Sequence, residues 1–208
     1  MGRLIGVITL CALLVGCQTT ATPVATPIPT PHAAVTAAVL QPGDAPATMN
    51  ACPGSGSLAD YITSLQGTNP SLATTTAAEW QQLRAEGAVG AAISLFAADL
   101  ATCSAELAAT SKGKSVASLV AVFGDEGQAD RAWESGILGF VPPAPGEQAP
   151  GLNRGTTTGL GLSAWTYDRS PVRFACWRHS VFVALVVLTN LDLATFKSMT
   201  AAVDARLN

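Results

Sequence analysis

"VRFACWRHSVFVALVVL", residues 172–188, is the stretch whose reading decides the fold. It holds two runs rich in β-branched and aromatic residues, 172–177 and 181–188, joined around Arg178-His179. Runs of this length and composition read as strands, and the short polar joint makes them a hairpin. Working outward, "SVASLVAVFG" at 115–124 reads as a strand over 115–123. Residues 159–167 form another, which "DRSP" at 168–171 turns into the 172–177 run. Residues 88–103 are harder to assign. Ile93, Phe96, Leu100, Cys103 and Leu107 fit a helical stripe, yet the preceding "GAVG" suits a strand. A strand over 89–97 followed by an irregular segment through Cys103 is the favoured reading.

Helices fill the gaps between these strands. Leu58, Tyr61, Ile62 and Leu65 fall at helical spacing, with Ser57 as N-cap and Gly67 at the far end. Residues 76–86 read as a second helix with Trp80 and Leu83 facing inward. Asp125 and Gln128 form a capping box for a helix through Trp133 that stops at Gly136. The proline-rich "FVPPAPGEQAPG", 140–151, suits neither a helix nor a central strand. A last helix opens at Asp192, with Leu191 and Phe196 as a hydrophobic staple and Leu193, Phe196, Met199, Val203 and Leu207 as its buried stripe. The expected fold class is α+β: a mainly antiparallel sheet of about five strands with packed helices, after a disordered tether.

Alternation sorts the side chains into two faces. If "DRSP" is the turn, Trp165 lies opposite Phe174. If Arg178-His179 turns the next hairpin, Cys176 lies opposite Val181. One face then carries Trp165, Val172, Phe174, Cys176, Val181, Val183, Leu185 and Val187, an apolar surface that the two long helices should cover. The other carries Leu160, Leu162, Arg173, Trp177, Phe182, Ala184 and Val186 and is too apolar to be simply wet. Either the amino-terminal helices cover it, or Leu162, Trp177 and Phe182 form a binding face for a partner or an apolar ligand.

The amino terminus sets the address. Arg3 supplies one positive charge, residues 4–15 are apolar apart from Gly6 and Thr9, and Gly16 precedes Cys17. This is the charged, apolar, small-residue order of an export signal. The tetrad Leu14-Val15-Gly16-Cys17 resembles the lipobox of bacterial lipoproteins. That resemblance implies that the leader 1–16 is cut away and that the Cys17 thiol carries diacylglycerol. The protein would then be lipid-anchored in the cell membrane, facing the extracytoplasmic side. Gln18, in place of Asp, implies by the same resemblance that a cell with two membranes would not hold it at the inner one. Two acyl chains hold a protein to a bilayer where one would not.

Residues 18–51 contain no aromatic residue and only one formal charge, Asp44. Prolines 23, 27, 29, 31, 42, 46 and 53 favour extended polyproline II over a packed core. About 34 such residues at about 3.1 Å each reach on the order of 100 Å. The expected domains are therefore a signal peptide at 1–16, a lipidated Cys17 with a Thr/Pro-rich tether to 56, and one globular domain at 57–208.

Composition excludes several roles. The 208 residues are 49% hydrophobic and 12% charged, with a net charge of −3; loss of Arg3 with the leader leaves −4. No Lys/Arg cluster supplies the phosphate-neutralising stripe of a nucleic-acid binder. Mean hydropathy is +0.35, but no run approaches the roughly 20 apolar residues of a spanning helix.

Of five cysteines, Cys11 leaves with the leader and Cys17 is lipidated. Among Cys52, Cys103 and Cys176, a Cys103–Cys176 disulfide is favoured, leaving Cys52 free; Cys52–Cys103 is the rival. No cysteine or histidine spacing suggests a metal, a redox site or a cofactor. His32 lies in the tether, and His179 reads as a turn residue before it reads as a catalytic base. Asp125 and Asp192 read as helix caps, and Asp168 and Arg169 as turn residues. Ser111-Lys112-Gly113-Lys114 matches Ser-x-x-Lys in a turn-like context, and "GTTTGLG" at 155–161 leads into a strand where a phosphate cradle would open a helix. No nucleophile, base and acid stand in a convincing arrangement. The expectation is a non-catalytic binding or scaffolding domain at the cell surface. Its partners would be the membrane through Cys17 and a surface protein or apolar ligand. A lipid or apolar-ligand carrier is the alternative, and a small hydrolase using His179 stands behind both.

Overall fold

The computed structural model describes residues 34–110 and 112–208. The expected signal peptide, the expected lipidation site Cys17 and the first half of the expected tether lie outside the described residues, as does Ser111. In chain order the elements are α1 Val35–Ala38, β1 Asn50–Ala51, β2 Gly56–Ser57, α2 Leu58–Thr68, α3 Pro70–Ala85, β3 Ala88–Ala97 and β4 Ser115–Phe123. These are followed by α4 Glu126–Ser135, β5 Leu152–Arg154, β6 Ala164–Tyr167, β7 Val172–His179, β8 Phe182–Thr189 and α5 Leu193–Leu207.

All strands join one antiparallel sheet in the order β1-β3-β4-β8-β7-β6-β5, and β2 also pairs with β3. The α+β reading holds, with more strands than the five expected. The five long or central strands are those read from the sequence, except that β6 begins only at Ala164, with residues 159–163 left in the loop before it, and the additions β1, β2 and β5 are two or three residues each. The ambiguous 88–103 segment resolves as favoured: β3 is continuous to Ala97, and 3-10 turns at Leu100–Ser104 and Glu106–Ala108 follow it.

Two registers differ from expectation. Trp165 faces Cys176, with Tyr167 opposite Phe174. The β7–β8 turn is Ser180-Val181, so His179 pairs with Phe182 and Cys176 with Leu185. Both shifts span an even number of residues, so face membership survives within the strands; Val181 alone moves into the turn.

The first face packs Trp165, Cys176, Val183, Leu185 and Val187 with Ile93, Leu95, Leu119 and Phe123. Tyr61 and Leu65 of α2, Ala73 and Leu83 of α3, and Ala129, Ala132 and Trp133 of α4 close it. The second face packs Trp177, Phe182, Ala184, Val186 and Leu188 with Phe96, Val116 and Val120. It is closed by Phe196, Met199, Val203 and Leu207 of α5 and by Ala38, Val39 and Leu40. The molecule is thus a three-layer stack with the sheet in the middle, and each fully buried large aliphatic side chain contributes about 1.5–3 kcal/mol. The covering of the second face comes from the carboxyl-terminal helix and from a strap that includes the short α1, rather than from the helices α2 and α3.

That strap corrects the expected domain boundary at residue 57. Residues 38–40 are buried, and the Leu40 N–H donates to Ser118 Oγ at 2.8 Å inside the second core layer. Ser118 in turn bonds Ser94 Oγ at 3.0 Å. Asp44 forms an ion pair with Arg206 of α5 at 2.7 Å. Packed structure therefore includes residues 38–40, well before residue 57.

Caps follow the sequence. Ser57, Asp125 and Asp192 each accept a backbone N–H with their side chains. Asn69, at the end of α2, caps α3, whose first residue is Pro70. The expected capping box at Asp125 is half formed. Asp125 Oδ1 accepts from Gln128 N at 2.8 Å, while Gln128 Oε1 accepts from Gly124 N at 3.0 Å, one residue before the cap.

The disulfide joins Cys52 to Cys103, in place of the favoured Cys103–Cys176 pair. Cys52 sits beside the sheet edge, where its N–H donates to Leu95 O at 2.8 Å. Cys103 lies in the 3-10 turn that follows β3. Cys176 is held in the middle of β7, fully buried on the first face opposite Leu185, and pairs with no cysteine among the described residues. Its position fits a core residue, and burial pushes its thiol up to about 12.

Candidate functional site

The residues expected to form an apolar binding face do not meet at an open surface. Trp177 and Phe182 are 0% and 2% exposed under α5 and the strap, whereas Leu162 is 81% exposed in the loop before β6. A carrier binding its ligand against the second face would have to displace α5. His179 is the half-buried last residue of β7 rather than a turn residue. The partner of Lys114 in the Ser-x-x-Lys match, Ser111, lies outside the described residues.

A cleft of about 520 Å³ opens elsewhere, between α5 and the sheet end formed by β5, β6 and the loop between them. Its helical wall follows from the periodicity of α5. Phe196, Met199, Val203 and Leu207 point into the core, so Lys197, Ala201, Asp204 and Asn208, at intervals of three and four residues, form the stripe beside it. The opposite wall carries Asn153 of β5, Thr166 of β6 and Asp168 just beyond it. Thr157, Thr158 and Leu160 come from the β5–β6 loop. That loop is the glycine-rich segment noted in the sequence. It makes a 3-10 turn at Gly155–Thr158 and reverses at Gly159, whose φ of +79° is left-handed.

The hydrogen bonds of the lining run inward. Thr157 Oγ1 donates to Arg154 O at 2.8 Å, and Thr158 Oγ1 donates to Gly155 O at 2.7 Å. Thr200 Oγ1 donates to Phe196 O at 2.9 Å. Asn153 Nδ2 donates to Gly151 O and to Thr166 Oγ1, each at 3.4 Å, and Asn208 Nδ2 donates to Asp204 O at 3.0 Å. From beneath, Trp177 Nε1 donates to Asp204 Oδ1 at 2.9 Å. This bond explains how a fully buried tryptophan keeps its indole N–H satisfied, and it fixes the carboxylate at the cleft floor. Asp168, Lys197 and Asp204 are the titratable side chains of the lining. None of them forms an ion pair among the described residues.

Two further hollows are smaller. A hollow of about 230 Å³ lies between α3 and the turn after α4, and another of the same size lies beside Cys103. On the first face the Tyr61 hydroxyl is buried without a hydrogen-bond partner among the described residues, and burial followed by the charge of Glu106 pushes it up to about 12. Among the described residues, no group of three or more His, Cys, Asp or Glu side chains is placed to hold a metal ion. No described helix is long and apolar enough to cross a membrane.

Sequence reasoning missed the cleft. Its signal was present on α5, where the outward stripe Lys197, Asp204, Asn208 is as regular as the buried one. The other wall gives no periodic signal, because a three-residue strand and a loop build it. Comparison of the chain with known protein families, with curated proteins and with solved structures finds no match in any of the three.

Proposed function

We propose that this chain is a lipid-anchored extracytoplasmic domain that binds, rather than transforms, a small ligand, held away from the bilayer by its proline-rich stalk. The observation that carries the binding role is the cleft against α5. It is a concavity of ligand size with converging polar groups, set on a helix that is itself locked into the core. The Leu14-Val15-Gly16-Cys17 tetrad and the stalk composition support the anchor. The titratable groups of the lining are two carboxylates and one ammonium, a set suited to recognition. The apolar-carrier reading is not retained, because the face on which it depended is filled by α5 and residues 38–40.

The anchor is tested by labelling bacteria that express the full chain with a radioactive fatty acid. The native chain should take up the label and Cys17→Ser should not, and equal labelling of the two, or none of the native chain, would refute the anchor. The binding role is tested with Ala201→Trp, which fills the cleft from an exposed position on α5. Ligands captured by the native protein should be lost from this variant, and equal capture by both would remove the cleft from consideration.

A further inference from the structure

We infer that the cleft selects a small organic cation rich in N–H donors, an amine or a guanidinium compound; this rests on the cleft being the binding site. The argument is an account of which hydrogen-bonding capacity the lining has left. A hydroxyl carries one proton and two lone pairs, and a side-chain amide carries two protons on nitrogen and an acceptor oxygen. The protons of Thr157, Thr158 and Thr200 are directed to backbone carbonyls. Both amide protons of Asn153 and one of the two on Asn208 are likewise turned onto the protein's own oxygens, and Thr158 Oγ1 and Thr166 Oγ1 already accept one bond each, which leaves the Thr166 proton and one Asn208 proton as the uncharged donors of the lining. The groups these side chains have left to offer are largely acceptors: hydroxyl lone pairs and the two amide oxygens.

Charge points the same way. Asp168 and Asp204 bring two carboxylates, and Lys197 alone brings a cation. Asp204 uses Oδ1 for Trp177 and keeps Oδ2 without a partner among the described residues. Its carboxylate is thereby aimed and half satisfied, with one oxygen ready for a charge-assisted bond. An anion would meet a net negative, acceptor-lined wall with Lys197 as its sole charged donor. A neutral polyol could bond to the acceptors but would gain nothing from the charge. A compact ammonium or guanidinium brings both donors and charge, and Leu160 and Phe196 supply apolar surface for its methylenes. Lys197, at the exposed rim, opposes such a ligand.

The test uses the lipidated full chain in non-ionic micelles and three four-carbon probes: 1,4-diaminobutane, erythritol and succinate. Binding is read by calorimetry and by tryptophan fluorescence, since Trp177 touches Asp204. The expected result is diamine affinity at least about tenfold above that of either other probe. Asp168→Asn and Asp204→Asn should each weaken diamine binding roughly threefold to tenfold, and the second keeps an acceptor for Trp177. Lys197→Gln should tighten it by a similar factor, a gain that general damage to the fold would not produce. Ala201→Trp should abolish it. If erythritol or succinate binds as tightly as the diamine and is lost in Ala201→Trp, the cation inference fails while the binding cleft stands. It fails in the same way if diamine binding in the cleft ignores all three charge changes. If no probe binds in a manner sensitive to Ala201→Trp, both the inference and the reading beneath it fall.

Discussion

Removing the Cys52–Cys103 bond should be the most costly covalent change available to this domain. The two cysteines are separated by 51 residues, and the loop they close contains α2, α3 and β3. In the chain-entropy treatment a loop of that length lowers the entropy of the unfolded chain by about 14 cal/mol/K, or about 4 kcal/mol at 25 °C. Cys52→Ala/Cys103→Ala in the full chain should therefore lose about 4 kcal/mol. For a domain of this size that is roughly 8–16 °C in Tm. Urea unfolding followed by far-ultraviolet circular dichroism measures the loss, and the slope m should rise because the uncrosslinked chain exposes more surface. Cys176→Ala is the internal control. It removes one buried sulfur from a packed site and should cost about 1–1.5 kcal/mol, as a small core truncation does. Were Cys103 bonded to Cys176, the ranking would invert, with Cys52→Ala silent and Cys176→Ala as costly as Cys103→Ala. The reasoning is refuted if the double variant unfolds within about 1 kcal/mol of the parent, or if Cys176→Ala matches it.

Three further outcomes follow from the same packing. Ser118→Ala deletes the acceptor of the Leu40 N–H and the partner of Ser94, leaving a buried donor at a cost of about 1–3 kcal/mol. Amide exchange should accelerate at Leu40 and its neighbours, and unchanged protection there would mean the strap is not held by this bond. The Cys176 thiol, fully buried and pushed up to about 12 by that burial, should react with a disulfide reagent at pH 8 only after denaturation. Labelling of the native protein at a rate independent of denaturant would contradict the core position. At Asp44, burial acts to raise the carboxyl, but hydrogen bonds from Arg206 and the Gln41 N–H, with the charge of Arg206, carry it below its ordinary value of 3.8. A depressed carboxyl stabilises the fold above its unfolded pKa, and that contribution disappears as pH falls through the folded value. Asp44→Asn should thus lower stability at pH 6 and flatten the loss below pH 4, a difference visible in paired thermal melts.

What could be read from the sequence was governed by periodicity. The strand at 115–123 and the helix after Asp192 were legible to the residue, because alternation, caps and the 3.6-residue stripe agree there. The connection at 168–171 was read in place, with only its register shifted, but the second turn was misplaced: Arg178-His179 looked polar enough to turn, yet both extend β7 and the chain reverses at Ser180-Val181. Faces survived because a strand's faces repeat every second residue and both shifts were even. The short strands β1, β2 and β5 carry no pattern of their own, being only two or three residues of Asn, Ala, Gly, Ser, Leu or Arg that gain strand geometry from a neighbour. The strap was hidden by its surroundings. Val39 and Leu40 sit in a proline- and threonine-rich composition that averages to a tether, and only the Ser118 hydroxyl, nearly eighty residues away, shows why they are ordered. The cysteine pairing failed for a similar reason, since the proximity of Cys52 to Cys103 depends on how the chain before β2 runs along the edge of β3.

The two readings of α5 are physically one. The helix must present Phe196, Met199, Val203 and Leu207 to the sheet, because without it Trp177, Phe182 and Val186 would meet water. Its helical period then fixes the azimuth of Lys197, Ala201, Asp204 and Asn208 at the neighbouring edge, where the β5–β6 loop faces them. Asp204 belongs to both arrangements: one oxygen satisfies the indole of a core tryptophan, and the other faces the cleft. A cleft built in this way has one wall with the rigidity of the hydrophobic core, and a ligand bonded to Asp204 is one hydrogen bond from Trp177. The strap adds a second link, since Asp44 holds Arg206 two residues beyond Asp204 along the same helix. Along the chain the strap meets the sheet first, through Leu40 and Ser118, and α5 next, through Asp44 and Arg206, so it braces the element whose position defines the site against the sheet itself.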